Sequence, residues 1–374
     1  MTVTPGRYYG RPVRILFSST AGAGHFGPLV PFIRSCLKNG HEAMVTAPAS
    51  FEANAKATGA AFWAFGDPPQ EEMAAVMASL GQVPREEANR RVVAEIFGRL
   101  DATAAVPRLR EAIEEWRPEL VVRESAEFGA AVAAELHELP QVCVGIGVAE
   151  MERYVLSVAQ SNVDTLRRSY GLSAPNRYGE TPHYTLFPAG LDGDPFPALR
   201  FRDPAWVRST GGDAFVYVTF GSVAGAIPMV TRVYGEAMEA LAGLDAEVLV
   251  TIGHAADPGV VGIPPPNVRI ERWVDQNDVL RRATVVVCHG GGGTTLGALA
   301  AGVPLVVVPL FSSDQYVNAS RVAATGAGVG VAPEARDIRE GLDKVLGDQS
   351  YGRAACALAD ELAGHPSTDR AFAG

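Results

Sequence analysis

Cysteine is scarce in this chain, and the few cysteines are far apart. Cys36, Cys143, Cys288 and Cys356 are spread over 374 residues. Disulfide scaffolds and zinc sites bring cysteines together in pairs or in short motifs of fixed spacing, and neither pattern occurs here. The sequence therefore predicts a protein of the reducing cytoplasm, with neither a disulfide framework nor a zinc site.

Long hydrophobic runs and an excess of positive charge are also missing. The longest apolar run near the strands, Val303 to Phe311, is too short to span a bilayer and is interrupted by proline. The first residues do not have the layout of a signal peptide. A net charge of −10 argues against nucleic acid or an anionic membrane as the main partner. What remains is a chain with 47% hydrophobic residues, enough for two or three domains with large cores.

The most informative stretch of the sequence is rich in glycine. The apolar run Val285–Cys288 ends at His289, then come Gly290–Gly293, and Thr294 begins a segment rich in alanine and leucine. This order predicts a strand, a tight turn and a helix. Glycines let the backbone approach a ligand closely, while free N–H groups and the helix dipole favour an anion. The stretch therefore predicts a phosphate site, although the glycines could also serve only to turn the chain.

The residues on either side extend this pattern. Trp273-Val274 and Gln276 precede it, while a second buried strand within Gly302–Pro309 and then Asp314-Gln315 follow it. From Trp273 to Gln315 the chain resembles the nucleotide-sugar donor signature of family 1 glycosyltransferases with the GT-B fold, especially bacterial enzymes that attach deoxysugars to natural products. The resemblance implies an α/β protein with two Rossmann-like, doubly wound parallel-sheet domains facing each other across a cleft.

The resemblance also implies which residues bind the donor. Trp273 would stack on the nucleotide base beside the Val274 backbone, and His289 would contact the diphosphate. Asp314 and Gln315 would bind sugar hydroxyls. The remaining candidates supply backbone to the diphosphate, and they are Gly221, Ser222, Gly291, Gly292, Gly293 and Thr294. As alternatives, Trp273 could belong to the core, and Asp314-Gln315 could cap a helix.

One departure from the family pattern bears on the nucleotide. UDP-glucose enzymes of this family usually carry a glutamate eight residues after the signature histidine, where it binds ribose hydroxyls. This chain has Gly297 there. Without the glutamate a ribose 2′-hydroxyl loses a partner, whereas a 2′-deoxyribose loses less. The sequence therefore predicts a TDP-sugar donor, with a UDP-sugar as the alternative.

A second glycine pattern occurs near the start of the chain. Gly22, Gly24 and Gly27 follow the predicted strand Val13–Ser19 with the spacing of a dinucleotide-binding loop. An NAD site also needs an acidic residue at the far end of the next strand. The only acid in the strand Glu42–Ala47 lies at the near end. An NAD-dependent dehydrogenase therefore remains only a minor alternative.

His25 stands inside this loop, in a Gly-His-x-x-Pro sequence. The sequence resembles the place where these glycosyltransferases carry their general base. A histidine at a helix start is discouraged from becoming cationic, so its neutral form is available to take a proton from an acceptor hydroxyl. The alternative is a histidine that only caps the helix or fills an interface.

Glu124 matches the position of the family's aspartate that orients the base histidine. It ends the predicted strand Pro118–Glu124, beside Arg123. Glutamate is one methylene longer than aspartate, so either the longer side chain reaches His25 or another group orients it. Arg123 and Glu124 could instead form a surface ion pair.

The predicted helices between Pro68 and Trp116 are candidates for the acceptor pocket. Apolar helices at the carboxyl end of a parallel sheet can form the wall of such a pocket. The acceptor-binding candidates are Met73, Met77 and Phe97, together with Met151 in the predicted helix Met151–Tyr170. An apolar helical stripe is also typical of a core. The segment Ser173–Pro204, rich in proline and glycine, is interpreted as an acceptor loop and domain linker.

These observations predict an acceptor-binding domain over residues 1–205, with a flexible tail at 1–11, and a donor-binding domain over 206–374. In this fold the final helix often packs back on the first domain. The predicted reaction is inverting transfer of a deoxysugar from a TDP-sugar to a hydroxyl of an apolar natural product, without a metal or other cofactor, by a monomer or homodimer. A sugar-nucleotide epimerase of the same fold and a catalytically silent partner protein are further alternatives.

Overall fold

The chain forms two compact units in the computed structural model, which describes residues 11–221, 228–254 and 258–373. The first unit comprises Met1–Leu186, Asp194–Pro204 and Pro366–Gly374, and the second comprises Phe187–Gly193 and Ala205–His365. Of the predicted tail, only Arg11 is described, and it forms an ion pair with Glu119. The candidate Ser222 lies outside the described residues.

The first unit is built on a parallel sheet with seven strands in the order β3-β2-β1-β4-β5-β6-β7. Its central strands are buried on both faces, which explains why they read as continuous apolar runs. The strand order reverses between β1 and β4, and ligands of such sheets bind at the carboxyl ends of the strands at this point. The strands are β1 Arg14–Ser18, β2 Glu42–Pro48, β3 Ala61–Phe65, β4 Leu120–Glu124, β5 Gln141–Val144, β6 His183–Thr185 and β7 Leu199–Arg200.

Helices of the first unit connect and cover these strands. A 3₁₀ turn, Gly27–Leu29, joins the first two helices, and a π-helical segment, Val92–Asp101, joins α5 to α6. The prediction of helices between Pro68 and Trp116 is therefore correct, but the segment Val92–Asp101 has a wider helical geometry. The helices are α1 Ala23–Phe26, α2 Val30–Lys38, α3 Glu52–Lys56, α4 Gln70–Leu80, α5 Arg85–Arg91, α6 Ala102–Trp116, α7 Phe128–Leu136 and α8 Ala149–Ser169.

The segment interpreted as a loop and linker, Ser173–Pro204, contains more regular structure than the sequence predicted. Strands β6 and β7 lie within it and extend the sheet of the first unit, and the short helix α9, Ala189–Asp192, belongs to the second unit. Strands of three and two residues are too short to show an alternation of apolar and polar side chains. The prediction was therefore wrong for this part of the segment.

The second unit has a parallel sheet of six strands in the order β10-β9-β8-β11-β12-β13. Eight valines of its strands lie in the described core, and buried side chains of α10 (Pro228–Leu241) and α14 (Ala335–Gly347) belong to the same cluster. Its strands are β8 Phe215–Thr219, β9 Glu247–Thr251, β10 Val268–Glu271, β11 Val285–Cys288, β12 Leu305–Val307 and β13 Gly328–Gly330. Its further helices are α10 Pro228–Leu241, α11 Gln276–Leu280, α12 Gly292–Ala301, α13 Ser313–Thr325, α14 Ala335–Gly347 and α15 Gln349–Gly364. Across the described ranges, no helix is long and apolar enough to cross a bilayer.

The end of the chain returns to the first unit. The final helix, α15, lies in the second unit, and it is the segment after it, Pro366–Gly374, that belongs to the first. The carbonyl of Thr368 accepts a hydrogen bond from Ser35 Oγ at 2.6 Å, and the carbonyl of Phe372 lies 2.8 Å from His41 Nε2. These contacts fix the segment against α2 and the start of β2.

Candidate active site

His25 and Glu124 meet at the carboxyl edge of the first sheet. His25 lies in α1, just after β1, and Glu124 is the last residue of β4. The two strands are paired in register, with Ser18 opposite Arg123, so they end side by side. His25 Nδ1 is 3.0 Å from Glu124 Oε1. The additional methylene of glutamate therefore spans the distance directly.

Glu124 is fully buried, yet its surroundings favour the ionised form. Burial raises the pKa of this carboxyl group, but the contact with His25 and hydrogen bonds from Ala126 N and Thr20 more than offset that effect, so the pKa lies below its usual value. An ionised carboxylate can only accept hydrogen bonds, so Nδ1 of His25 carries the proton in this network. In this neutral tautomer the ring lone pair is on Nε2.

Thr20 is a member of this network that the sequence analysis missed. Its Oγ1 donates to Glu124 Oε1 at 2.9 Å and lies 3.0 Å from His25 Nδ1. Its position directly after the first strand, in the glycine loop of His25, was the available signal. A surface ion pair between Arg123 and Glu124 is excluded, because both side chains are buried and the Arg123 guanidinium donates to the Glu124 and Ser125 carbonyls.

Phe97 is the acceptor candidate that lies next to His25. Its ring centroid is 5.0 Å from that of His25, and it belongs to the π-helical segment. Met73 and Met151 are half-buried, whereas Met77 is 54% exposed on α4. The structure therefore places an aromatic surface at the histidine, and it places the methionines on α4 and α8.

Three possible metal ligands cluster in the first unit. The ligand atoms of Cys143, Glu152 and His183 all lie within 4.8 Å of one another. However, Glu152 Oε1 already accepts two backbone N–H groups of the loop between β5 and α8. Burial and then the neighbouring Arg123 lower the pKa of His183 to about 3. A buried guanidinium also repels a metal cation, so the cluster is better explained as a structural support of this loop.

His289 lies at the corresponding edge of the second sheet. Its ring fits between two glycines: a Cβ at Gly221 would lie 3.0 Å from Cε1 of the ring, and a Cβ at Gly291 only 2.5 Å from Nε2. Real Cβ atoms do not approach that closely, so a side chain at position 291 would displace the ring. Gly221 also has φ +97, a left-handed backbone that favours glycine. These two glycines therefore leave the space that the His289 ring occupies.

The turn after His289 leaves the start of α12 open to a ligand. Gly290 has φ +88, and Asn318 Nδ2 donates to its carbonyl at 2.7 Å, which fixes the turn. Within the described part of the chain no side chain caps α12, whose first residues are Gly292, Gly293 and Thr294. Uncapped N–H groups at the positive end of a helix dipole form an anion site. Because Gly293 is exposed, this site is accessible from solvent.

His289 is neutral at pH 7 in this environment. Burial lowers its pKa, and Asp314 acts in the opposite direction with a smaller effect. Within the described part of the chain, its Nδ1 is buried and has no hydrogen-bond partner. A neutral, positioned imidazole can donate one hydrogen bond to an anion.

Trp273 follows β10 and is exposed by 58%, which excludes the core as its location. One face of its indole stacks on His254, with ring centroids 5.8 Å apart and planes at 17°. The sequence analysis did not identify His254. The next residue, Val274, is half-buried. An exposed indole that is already supported on one side is suited to stack a base on the other.

Asp314 and Gln315 begin α13 and differ in their surroundings. Gln315 is buried, and its Oε1 accepts hydrogen bonds from the N–H groups of Leu310 and Phe311. Asp314 is half-buried and is bonded by Ser312 Oγ. The side-chain oxygen Oε1 of Gln315 thus holds the loop after β12. The Asp314 carboxylate lies close enough to His289 to raise its pKa against the effect of burial.

Comparison with known proteins relates both units to one group of enzymes. Residues 235–371 match the family model described as "Erythromycin biosynthesis protein CIII-like, C-terminal domain". The chain is 29% identical over 379 residues to the elloramycin glycosyltransferase ElmGT of Streptomyces olivaceus, covering 95% of this chain and 94% of ElmGT. The chain is a glycosyltransferase with the GT-B fold.

Solved structures agree with the fold of this glycosyltransferase. The calicheamicin glycosyltransferase CalG4 superposes with a TM-score of 0.80 at 22% identity, covering 97% of each chain. SsfS6 of a Streptomyces species, solved with thymidine diphosphate, gives 0.76 at 21% identity, with coverages of 96% and 98%. The family match includes the whole of the stretch from Trp273 to Gln315, whereas His25 and Glu124 lie outside it.

Proposed function

We propose that this glycosyltransferase moves a deoxysugar from a TDP-sugar to a hydroxyl group of an apolar natural product, with inversion at the anomeric carbon. The first unit would bind the acceptor and supply the base, and the second unit would bind the donor. The observation that carries the proposal is the contact of His25 with the buried Glu124 at the carboxyl edge of the first sheet.

The base is the centre of the proposed mechanism. Nε2 of His25 takes the proton of the acceptor hydroxyl while the hydroxyl oxygen forms a bond to the anomeric carbon. The bond from that carbon to the diphosphate oxygen breaks in the same displacement, and its electron pair leaves with TDP. The ionised Glu124 stabilises the imidazolium that forms, because its carboxylate is already in hydrogen-bond contact with Nδ1. A single displacement inverts the configuration.

The second unit would stabilise the leaving diphosphate. Negative charge grows on its oxygens as the bond breaks, and the uncapped start of α12 presents N–H groups and a positive dipole end. The neutral His289 adds one donor, and Trp273 stacks on the base. The proposal assigns this task to protein groups alone, so it requires no metal ion.

The preference for TDP rests on Gly297. A Cβ at this position would lie 3.2 Å from Leu280 Cδ1 and 3.7 Å from Gln276 Oε1, so α11 packs closely on the glycine. Since glycine has no side chain, position 297 provides no carboxylate that could accept a hydrogen bond from a ribose 2′-hydroxyl. SsfS6, a structural neighbour, has been solved with thymidine diphosphate, which is consistent with this preference.

Calorimetric titration with TDP, UDP and NAD tests the donor part of the proposal. We expect TDP to bind more tightly than UDP, and NAD not to bind. Tighter UDP binding would contradict the assignment from Gly297, and binding of NAD alone would contradict the proposed function. Transfer itself is tested with TDP-L-rhamnose and 2-naphthol, and the anomeric configuration of the product by NMR shows inversion or retention. Turnover of the donor to an epimer without an acceptor would favour an epimerase.

A further inference from the structure

A second carboxylate of the first unit, that of Asp101, faces the region of the proposed base, His25. It is the last residue of the π-helical segment Val92–Asp101, four residues after Phe97. Side chains four residues apart on a helix lie on nearly the same face. Because the ring of Phe97 contacts His25, Asp101 also faces the region of His25.

Packing at the start of α6 supports this placement. A Cβ at Gly66, just after β3, would lie 3.2 Å from the carbonyl oxygen of Ala104. A Cβ at Gly129, in the first turn of α7, would lie 3.1 Å from the carbonyl oxygen of Ala102. Both glycines stand beyond the carboxyl ends of their strands, so the start of α6 is held at that edge of the sheet. Asp101 directly precedes it and therefore lies at the edge that carries His25.

The usual structural roles of a helical aspartate do not explain Asp101. It has helical backbone angles, φ −62 and ψ −49, and its side chain makes no capping hydrogen bond. Among the described residues its carboxylate takes part in no hydrogen bond or ion pair. By contrast, Glu95 of the same segment is paired with Arg99, whose Nε donates to it at 2.7 Å.

The electrostatic surroundings of Asp101 indicate a missing hydrogen-bond donor. Burial raises the pKa of this carboxyl group to about 6, with His25 acting against the increase and Glu124 and Asp67 adding to it. A partly buried carboxylate without a partner is costly in free energy. A ligand that donates a hydrogen bond would remove this cost.

We propose that Asp101 is a specificity-determining residue that accepts a hydrogen bond from a second hydroxyl of the acceptor, next to the hydroxyl that His25 deprotonates. The inference rests on the proposed function, because it needs an acceptor at His25. A hydroxyl has a single hydrogen, and the reacting one donates it to Nε2, so Asp101 requires another donor. The acceptor class is therefore an apolar molecule with two neighbouring hydroxyl groups, whose apolar face contacts Phe97.

Two small aromatic probes test this inference on the full chain. 2,3-Dihydroxynaphthalene carries the neighbouring hydroxyl pair, and 2-naphthol lacks the second hydroxyl but keeps the apolar face. Calorimetry at neutral pH should show at least about tenfold tighter binding of the diol to the wild-type protein, as expected for a hydrogen bond to a charged group. Asp101→Leu should bind both probes equally, and Asp101→Asn should keep part of the preference because its amide oxygen still accepts.

Glu95→Gln is the matched control, since it changes a carboxylate of the same segment that already has a protein partner. It should keep the full preference for the diol. The inference is overturned if the wild-type protein does not prefer the diol, including the case in which neither probe binds, or if both Asp101 variants keep the preference. Thermal unfolding of each variant, followed by circular dichroism, shows whether the protein is folded.

The same probes separate this inference from the proposed function. Transfer from TDP-L-rhamnose to 2-naphthol without a preference for the diol would overturn only the role of Asp101. A preference for the diol that depends on Asp101, together with no transfer to either probe, would support the carboxylate site and count against the proposed reaction.

Discussion

Glu124 places a fully buried carboxylate oxygen 3.0 Å from His25 Nδ1, although the two residues are 99 positions apart in the chain. The pairing of β1 with β4 brings them together. A buried charge next to a histidine stabilises the cation that forms when the ring takes up a proton. The relationship therefore favours His25 as a base and leads to separate expectations for each partner.

Replacing His25 by alanine should reduce turnover by about 10² or more, the usual contribution of a general base. TDP affinity should remain close to the wild-type value, because the proposed nucleotide site belongs to the second unit. Steady-state transfer assays and calorimetry measure the two quantities. The control is His137→Ala, which removes a half-buried histidine at the end of α7. Equal activity of the His25→Ala variant would rule out the assigned role.

Replacing Glu124 by glutamine should reduce both turnover and stability. The pKa of Glu124 is lowered in the folded protein, so its ionisation stabilises the fold above its usual pKa of 4.5, and this stabilisation is lost as the pH falls through the folded pKa. We therefore expect the wild type to unfold at a higher temperature than Glu124→Gln at neutral pH, and the difference to shrink below the usual pKa. The measurement is thermal unfolding, monitored by circular dichroism, from neutral pH to below the usual pKa of 4.5. A difference that does not depend on pH would show that Glu124 is not ionised in the folded protein.

Replacing Gly291 by alanine should weaken TDP binding by about tenfold, the loss expected for one hydrogen bond to a charged group. The new Cβ would lie 2.5 Å from His289 Nε2 and would displace the ring, while the backbone angles of Gly291, φ −63 and ψ 141, suit alanine. Gly352→Ala is the matched control in α15, where the added Cβ would meet no described atom within 4 Å other than those of its own helix backbone and chain neighbours. It should leave TDP affinity unchanged and raise stability by about 0.5–1 kcal/mol. Unchanged affinity in Gly291→Ala would contradict a role of His289 in diphosphate binding.

Replacing Gly297 by glutamate should shift the nucleotide preference from TDP towards UDP. The added carboxylate would accept a hydrogen bond from the ribose 2′-hydroxyl of UDP. The ratio of the dissociation constants of TDP and UDP should therefore change by about tenfold. Gly297→Ala separates this effect from packing, because its Cβ alone would approach Leu280 Cδ1 to 3.2 Å. The alanine variant should keep the wild-type ratio. The explanation fails if both variants change the ratio equally.

The sequence predicted strands of the two parallel sheets because buried parallel strands leave continuous apolar runs, whereas the GT-B fold was implied by the resemblance of the stretch from Trp273 to Gln315. The run Val285–Cys288 and the turn after it are such a case, and the comparisons confirm the GT-B fold. The sequence could not decide whether the Glu124 side chain reaches His25, because the distance between side chains of two neighbouring strands depends on the register of the strands.

Other parts of the site could not be predicted, because they depend on packing between distant segments. Thr20 follows the first strand in the loop of His25, but its contact with Glu124 becomes visible only when the two strands are placed side by side. The same holds for His254, whose stacking on Trp273 joins two different loops. The π-helical geometry around Phe97 and Asp101 also leaves no clear mark, because a segment of ten residues is too short for its apolar pattern to separate a π-helix from an ordinary helix.

The segment Pro366–Gly374, which returns to the first unit, has a consequence for dissecting the molecule. Its last aromatic residue, Phe372, packs edge-on against Phe17 of β1, with ring centroids 6.0 Å apart. A cut after Pro204 would therefore not release the first unit intact, because the strand that precedes His25 would lose part of its cover. Conversely, a fusion placed directly after this segment would be attached next to the first unit, although the segment follows the second unit in the chain.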